Sequence, residues 1–79
     1  MSRPTATVYI TDTCPYCTMM VRHLREKDIQ VRTVNIQKDQ RAAQRLMATT
    51  GQLGVPQTQL NGKWILGFDP NGVEQALKG

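Results

Sequence analysis

The stretch TDTCPYC, from Thr11 to Cys17, holds both cysteines of the chain, three positions apart, with a proline directly after the first. On its N-terminal side ATVYIT, from Ala6 to Thr11, is rich in β-branched and aromatic residues and reads as a strand. On its C-terminal side the period changes. Cys17, Met20, Val21 and Leu24 fall at i, i+3, i+4 and i+7, an apolar stripe that predicts a helix from about Pro15 to Lys27. The cysteine pair therefore stands at a strand-to-helix junction.

Working outward, IQVRTVNI (Ile29 to Ile36) returns to β-type residues and completes a β-α-β unit, which normally gives two parallel neighbours with a right-handed crossover. Ala43, Leu46, Met47 and Thr50 repeat the helical spacing, and Gly51 with Gly54 ends that second helix. Beyond GVPQ, the runs QTQL and KWIL flank Asn61-Gly62, a strong hairpin signal because both turn residues tolerate positive φ. Last, DPNGVEQALKG offers Asp69 as an N-cap, Pro70 at the first helical position, Val73, Ala76 and Leu77 on one face, and Gly79 beyond the end.

The order is β-α-β-α-β-β-α, an α/β domain with a four-stranded mixed sheet and helices on both faces. No internal repeat, low-complexity tract or linker interrupts it, and 79 residues suffice for one hydrophobic core, so residues 1–79 are read as a single domain.

Ten Lys and Arg against six Asp and Glu give a net charge of +4, which favours acidic partners by long-range attraction. Arg22 with Arg25, and Arg41 with Arg45, are spaced as exposed helical pairs, but consecutive helices of this order lie on opposite sheet faces. The basic charge is thereby split, which argues against a nucleic-acid stripe. No apolar run approaches the roughly 20 residues a membrane span needs, and MSRPTATVYI lacks the order of a secretory signal. A cytoplasmic monomer is expected.

A bridge from Cys14 to Cys17 closes too small a loop to constrain the unfolded chain much, so a structural staple is the weaker reading. Redox chemistry explains the spacing better. With Cys14 as N-cap and Pro15 first in the helix, Tyr16 is second and Cys17 third. Amide groups and the helix dipole converge on the Cys14 sulfur. Such cysteines have their pKa lowered from about 8.5 to roughly 3.5–7.5, and the thiolate is the attacking species. Proline suits the first helical position, where its missing N–H would be unpaired anyway. Cys17 heads the apolar stripe, so Cys14 is expected to be the exposed nucleophile and Cys17 the shielded resolving thiol. Cys14 attacks a substrate disulfide, and Cys17 then attacks Cys14 to release the reduced substrate.

A zinc site needs more ligands than this pair, and His23, the obvious addition, falls on the far side of the helix from the stripe, where it reads as a solvated surface residue. No metal ligand set is assigned. The alternative use of the pair is as a metal or iron–sulfur cluster carrier sharing thiolates with a second protein. Trp64 reads as hairpin packing. Val55-Pro56 precedes a strand, where a proline belongs and where cis peptides occur.

TCPYC at a β-to-α junction, GVPQ before a hairpin and LGFDP before the last helix together resemble the glutaredoxin family, in order and spacing, over nearly the whole chain. The resemblance implies a thioredoxin-like fold, a cis Pro56 facing Cys14, and a thiol-binding groove walled by Tyr16, Val55 and the Gly67-Phe68-Asp69 turn. It implies no tightly bound cofactor beyond the redox-active Cys14–Cys17 disulfide, with glutathione or another thiol as co-substrate. Asp69 serves equally as a cap or as a ligand contact.

Three departures bear on the electron donor. Glutathione users in the family usually carry lysine where this chain has Thr11, Thr-Val-Pro where it has Gly54-Val55-Pro56, and Gly-Gly-x-Asp-Asp where it has Leu66-Gly67-Phe68-Asp69-Pro70. Gly-Phe-x-Pro is similar to the glutaredoxin-like redoxins that serve ribonucleotide reductase and draw on thioredoxin reductase, although those usually lack Cys-Pro-Tyr-Cys. The partners implied are thioredoxin reductase or a low-molecular-weight thiol as reductant, and disulfide-containing proteins, ribonucleotide reductase among them, as acceptors.

Overall fold

Strand β1 (Thr5–Ile10) is the hub of the sheet: it pairs in parallel with β2 (Gln30–Asn35) and antiparallel with β3 (Gln57–Leu60), which in turn pairs antiparallel with β4 (Lys63–Leu66). The order across the sheet is β2-β1-β3-β4, in a computed structural model that describes residues 4–78. Helices α1 (Pro15–Glu26), α2 (Gln40–Thr50) and α3 (Pro70–Lys78) complete the order read from the sequence. The parallel β1–β2 pair, the 61–62 hairpin and the four-stranded mixed sheet are as expected. Gly79, expected beyond the last helix, lies outside the described residues.

Register decides which side chains meet. Val8 stands opposite Thr58, and Thr58 opposite Ile65, while Ala6 stands opposite Leu60. With side chains alternating between faces, these residues share one side of the sheet. Met20 and Leu24 from α1, and Val73 and Ala76 from α3, close over them to form the core. Fully burying each Leu, Val or Met side chain stabilises by about 1.5–3 kcal/mol. The opposite face carries Tyr9 and Trp64, whose rings lie 5.7 Å apart, and Leu46 of α2 lines a small cavity with both.

Local signals set the ends of these elements. Asn61 and Gly62 take φ of 52° and 76°, the paired positive values a two-residue hairpin turn requires, and Asn61 Nδ2 also donates to the Ala76 carbonyl at 3.0 Å. Asp39 caps α2 by accepting from the Ala42 amide at 3.0 Å, and Gly51 ends it at φ 76°.

Two expectations are corrected. The buried stripe of α2 is Ala42 and Leu46, whereas Met47, assigned to it from the sequence, is 45% exposed. Two apolar pairs one residue apart, 42/46 and 43/47, are separated by only about 100° around the helix, and the docking on Tyr9 and Trp64 chose the first. His23, read as solvated, is half-buried and meets Phe68 edge-on at 6.0 Å between ring centres. The reason is that α3 lies beside α1 on the same sheet face and covers its flank, which the Lys27–Glu74 ion pair also bridges.

Candidate functional site

Cys14 holds the N-cap of α1 with extended backbone (φ −126°, ψ 98°), and Pro15 takes the first helical position. The Cys14 carbonyl accepts from the amides of Cys17 at 3.1 Å and Thr18 at 3.3 Å, and its sulfur accepts from the Cys17 amide at 3.2 Å. The two sulfurs are bonded, with Cα atoms 5.2 Å apart, inside the range of about 4.4–6.8 Å that a disulfide spans. Cys17 is 3% exposed and Cys14 half-buried above it. When this bond is reduced, the N–H aimed at Cys14 Sγ stabilises negative charge there, while no comparable contact serves Cys17 among the described residues.

The segment leading to Cys14 is tied down by side chains from the end of β2. Asn35 Nδ2 donates to Asp12 Oδ1 at 2.7 Å, the Asp12 amide donates to Gln37 Oε1 at 2.9 Å, and Lys38 stands 3.8 Å from the same carboxylate. The N-terminus of α1 is thereby fixed relative to the sheet.

A second set of residues converges around the proline. The Val55–Pro56 peptide is cis, and the Pro56 carbonyl accepts from the Gly67 amide at 2.8 Å. Gly67 turns the chain at φ 75°, a left-handed value that favours glycine. Phe68 follows against His23, and Asp69 caps α3 through Oδ1 with the Gly72 amide at 3.1 Å. One hydrogen bond thus joins the proline loop to the 67–69 turn. Val55 is half-buried, and Tyr16, second in α1, is 60% exposed.

Sequence reading missed two residues that shape this set. Gln57 is 1% exposed and donates from Nε2 to the carbonyls of Gln52 at 3.0 Å and Gly54 at 2.9 Å, holding the loop that delivers Val55 and Pro56. Gly72 leaves room for the cap: a Cβ there would stand 2.8 Å from Asp69 Oδ2 and 3.1 Å from Ile65 Cγ2. The signal for Gly72 was present, a glycine three residues after an Asp-Pro helix start; Gln57 offered none.

An open groove of about 650 Å³ also reaches the sulfurs, running along α1 beside the end of β2. Cys14, Cys17, Thr18, Arg22, Arg25 and Asn35 are among its walls, and none of Tyr16, Val55, Pro56, Gly67, Phe68 or Asp69 is. The disulfide is therefore lined by a groove that the sequence did not disclose. Among the described residues, no group of three or more His, Cys, Asp or Glu is placed to hold a metal ion, and no helix is long and apolar enough to cross a membrane.

Residues 6–65 match the family model described as glutaredoxin. The chain belongs to the glutaredoxin family. An uncharacterised glutaredoxin-like 8.6 kDa protein of the rubredoxin operon of Clostridium pasteurianum is 28% identical over 71 residues, 90% of this chain and 95% of that protein. The glutaredoxin of Archaeoglobus fulgidus superposes with a TM-score of 0.82 at 19% identity, over 94% of this chain and 86% of that one. The glutaredoxin-like NrdH-redoxin of Escherichia coli superposes with a TM-score of 0.80 at 20% identity, over 90% and 92%. At such identities the structural likeness establishes the thioredoxin-like fold, which this glutaredoxin shares in full.

Proposed function

We propose that this glutaredoxin is a dithiol oxidoreductase in which Cys14 is the nucleophile and Cys17 the resolving thiol. The observation that carries the reading is the asymmetry of the pair: the half-buried sulfur receives the Cys17 amide at 3.2 Å, and its bonded partner is buried. In the first step the Cys14 thiolate attacks one sulfur of a substrate disulfide, forming a mixed disulfide and expelling the other sulfur as thiolate. Cys17, deprotonated, then attacks Cys14 Sγ. The substrate leaves as a second thiolate, and two electrons have passed from protein to substrate.

Tyr16, Val55, Pro56 and the Gly67-Phe68-Asp69 turn form the surface against which the substrate's cysteine segment lies. The Pro56–Gly67 hydrogen bond supports this, since it keeps proline loop and turn together. The acceptors are disulfide-containing proteins, ribonucleotide reductase among them. Electrons come from thioredoxin reductase or a low-molecular-weight thiol; the thioredoxin-like activity profile of the NrdH-redoxin supports the former. The protein works as a cytoplasmic monomer without a tightly bound cofactor.

The test is insulin-disulfide reduction driven by dithiothreitol. Cys14→Ser is expected to abolish the acceleration over the dithiothreitol background, and Cys17→Ser to accumulate a mixed disulfide visible as an added mass on the protein. Retained turnover in Cys14→Ser would end the reading.

A further inference from the structure

We propose that Asp12 is a positioning residue for the Cys14 nucleophile: a closed ring of hydrogen bonds through Asn35 and Gln37 fixes the segment that delivers Cys14 to the cap of α1, and so keeps its sulfur aligned with the Cys17 amide. The inference rests on the dithiol reading and gives the end of β2 a part in it.

The ring closes link by link. Asn35 Nδ2 donates to Asp12 Oδ1 at 2.7 Å, the Gln37 amide donates to Asn35 Oδ1 at 2.9 Å, and the Asp12 amide donates to Gln37 Oε1 at 2.9 Å. Each residue gives one bond and takes one. Strand register brings them together: Asn35 stands beside Ile10 in the parallel β1–β2 pair, and the Ile36 amide donates to the Ile10 carbonyl at 3.0 Å.

Stability does not account for the ring. Asp12 and Gln37 are exposed and Asn35 half-buried, and hydrogen bonds among groups open to water replace water bonds at little net gain. What the ring supplies is place. Only Thr13 separates Asp12 from Cys14, and the Cys14 sulfur takes the Cys17 amide at 3.2 Å from an extended cap conformation (φ −126°, ψ 98°). A chain free to swing at Asp12 would loosen that contact, on which the thiolate depends.

The ring also occupies a charge. Asp12, Arg22, Arg25 and Glu26 are the charged groups of the groove that holds both sulfurs, and all but Asp12 lie farther along α1. Asp69, of the 67–69 turn, is engaged by the Gly72 amide. A bare carboxylate at Asp12 would oppose the Cys14 thiolate; the Asn35 amide and Lys38, 3.8 Å away, offset it.

The experiment follows the pH dependence of iodoacetamide alkylation on the reduced full chain, with the label located on Cys14 by fragmentation mass spectrometry. Insulin reduction and urea unfolding are measured alongside. N35A opens two links without adding charge, and N35D sets two carboxylates face to face. Both are expected to raise the pH midpoint of Cys14 alkylation by about half to one pH unit, so that the rate below the midpoint and the insulin turnover fall about three- to tenfold. D12N/N35D exchanges donor and acceptor in the same link, and should return the midpoint to that of the parent. Q37A opens the link to the Asp12 amide, moves the midpoint in the same direction, and carries the test if an Asn35 variant does not fold. A ring serving stability alone would lower the urea midpoint and leave the alkylation midpoint in place; that result, or a D12N/N35D midpoint that stays with N35D, overturns the proposal. Alkylation needs no disulfide substrate, so the two readings fail separately: absence of insulin reduction in the parent removes the dithiol reading, whereas an unmoved alkylation midpoint with insulin reduction intact removes only the role of Asp12.

Discussion

Gln57 Nε2 donates to the Gly54 carbonyl at 2.9 Å from a fully buried position at the start of β3. A second bond from the same nitrogen reaches the Gln52 carbonyl, so one side chain anchors the loop before the cis-proline at two points. Gln57→Leu keeps the volume and removes both donors, leaving two carbonyls to find water or go unpaired. A loss of about 1–3 kcal/mol is expected in urea unfolding. Because the loop leads into Val55 and Pro56, KM for a disulfide substrate should rise more than kcat falls.

Gly72→Ala reverses an ordinary rule. At an exposed helical site the change usually stabilises by about 0.4–1 kcal/mol. Here the new Cβ meets Asp69 Oδ2 at 2.8 Å and displaces the carboxylate from the Gly72 amide, so a net loss of about 1 kcal/mol is expected, the typical worth of a cap. Thermal melts of Gly72→Ala in the parent and in an Asp69→Ala background check this: the loss should shrink or vanish in the second.

The carboxyl of Glu74 is held below its ordinary value, first by its hydrogen bond to Lys27 and then by the charge of that ammonium. A depressed folded value means that the contribution is fully present above the unfolded value of about 4.3 and is lost as pH falls through the folded one. The stability difference between the parent and Glu74→Gln should therefore be present at pH 7, disappear in strong acid and shrink in high salt, since both side chains are partly exposed. Melts across pH at two salt concentrations read it directly.

Leu24 is fully buried between α1 and the sheet. Leu24→Ala should cost about 2–5 kcal/mol in denaturant unfolding, with the spread set by how far the cavity collapses. The disulfide should still form, because Cys14 and Cys17 depend on the opposite end of the helix.

What could be read from the sequence was what short-range rules govern. Cys14, Pro15 and Cys17 fall at the cap and first turn of α1 because each satisfies a local backbone need, and Asn61-Gly62 and Asp69-Pro70 do the same for the hairpin and α3. What escaped depended on distant partners. Gln57 looks like any polar strand residue until the carbonyls of the preceding loop are in view. His23 looks solvent-facing until α3 is laid beside α1. Neighbouring apolar pairs in α2 left two stripes to choose between, and only the sheet's far face decided. The groove needs Asn35 and Arg22, thirteen residues apart, brought together by the parallel pairing of β1 and β2.

The unequal covering of the sheet's two faces divides the molecule into parts of different durability. α1 and α3 share the core, whereas α2 is anchored by Ala42 and Leu46. Elements with so little buried contact open first in the native state. Release of α2 would bare Tyr9 and Trp64 and leave the sulfurs on their own helix untouched. The seam between the durable and the yielding part is residues 51–56, which end at the cis-proline, so the substrate-facing loop is the place where opening of α2 would be felt by the chemistry.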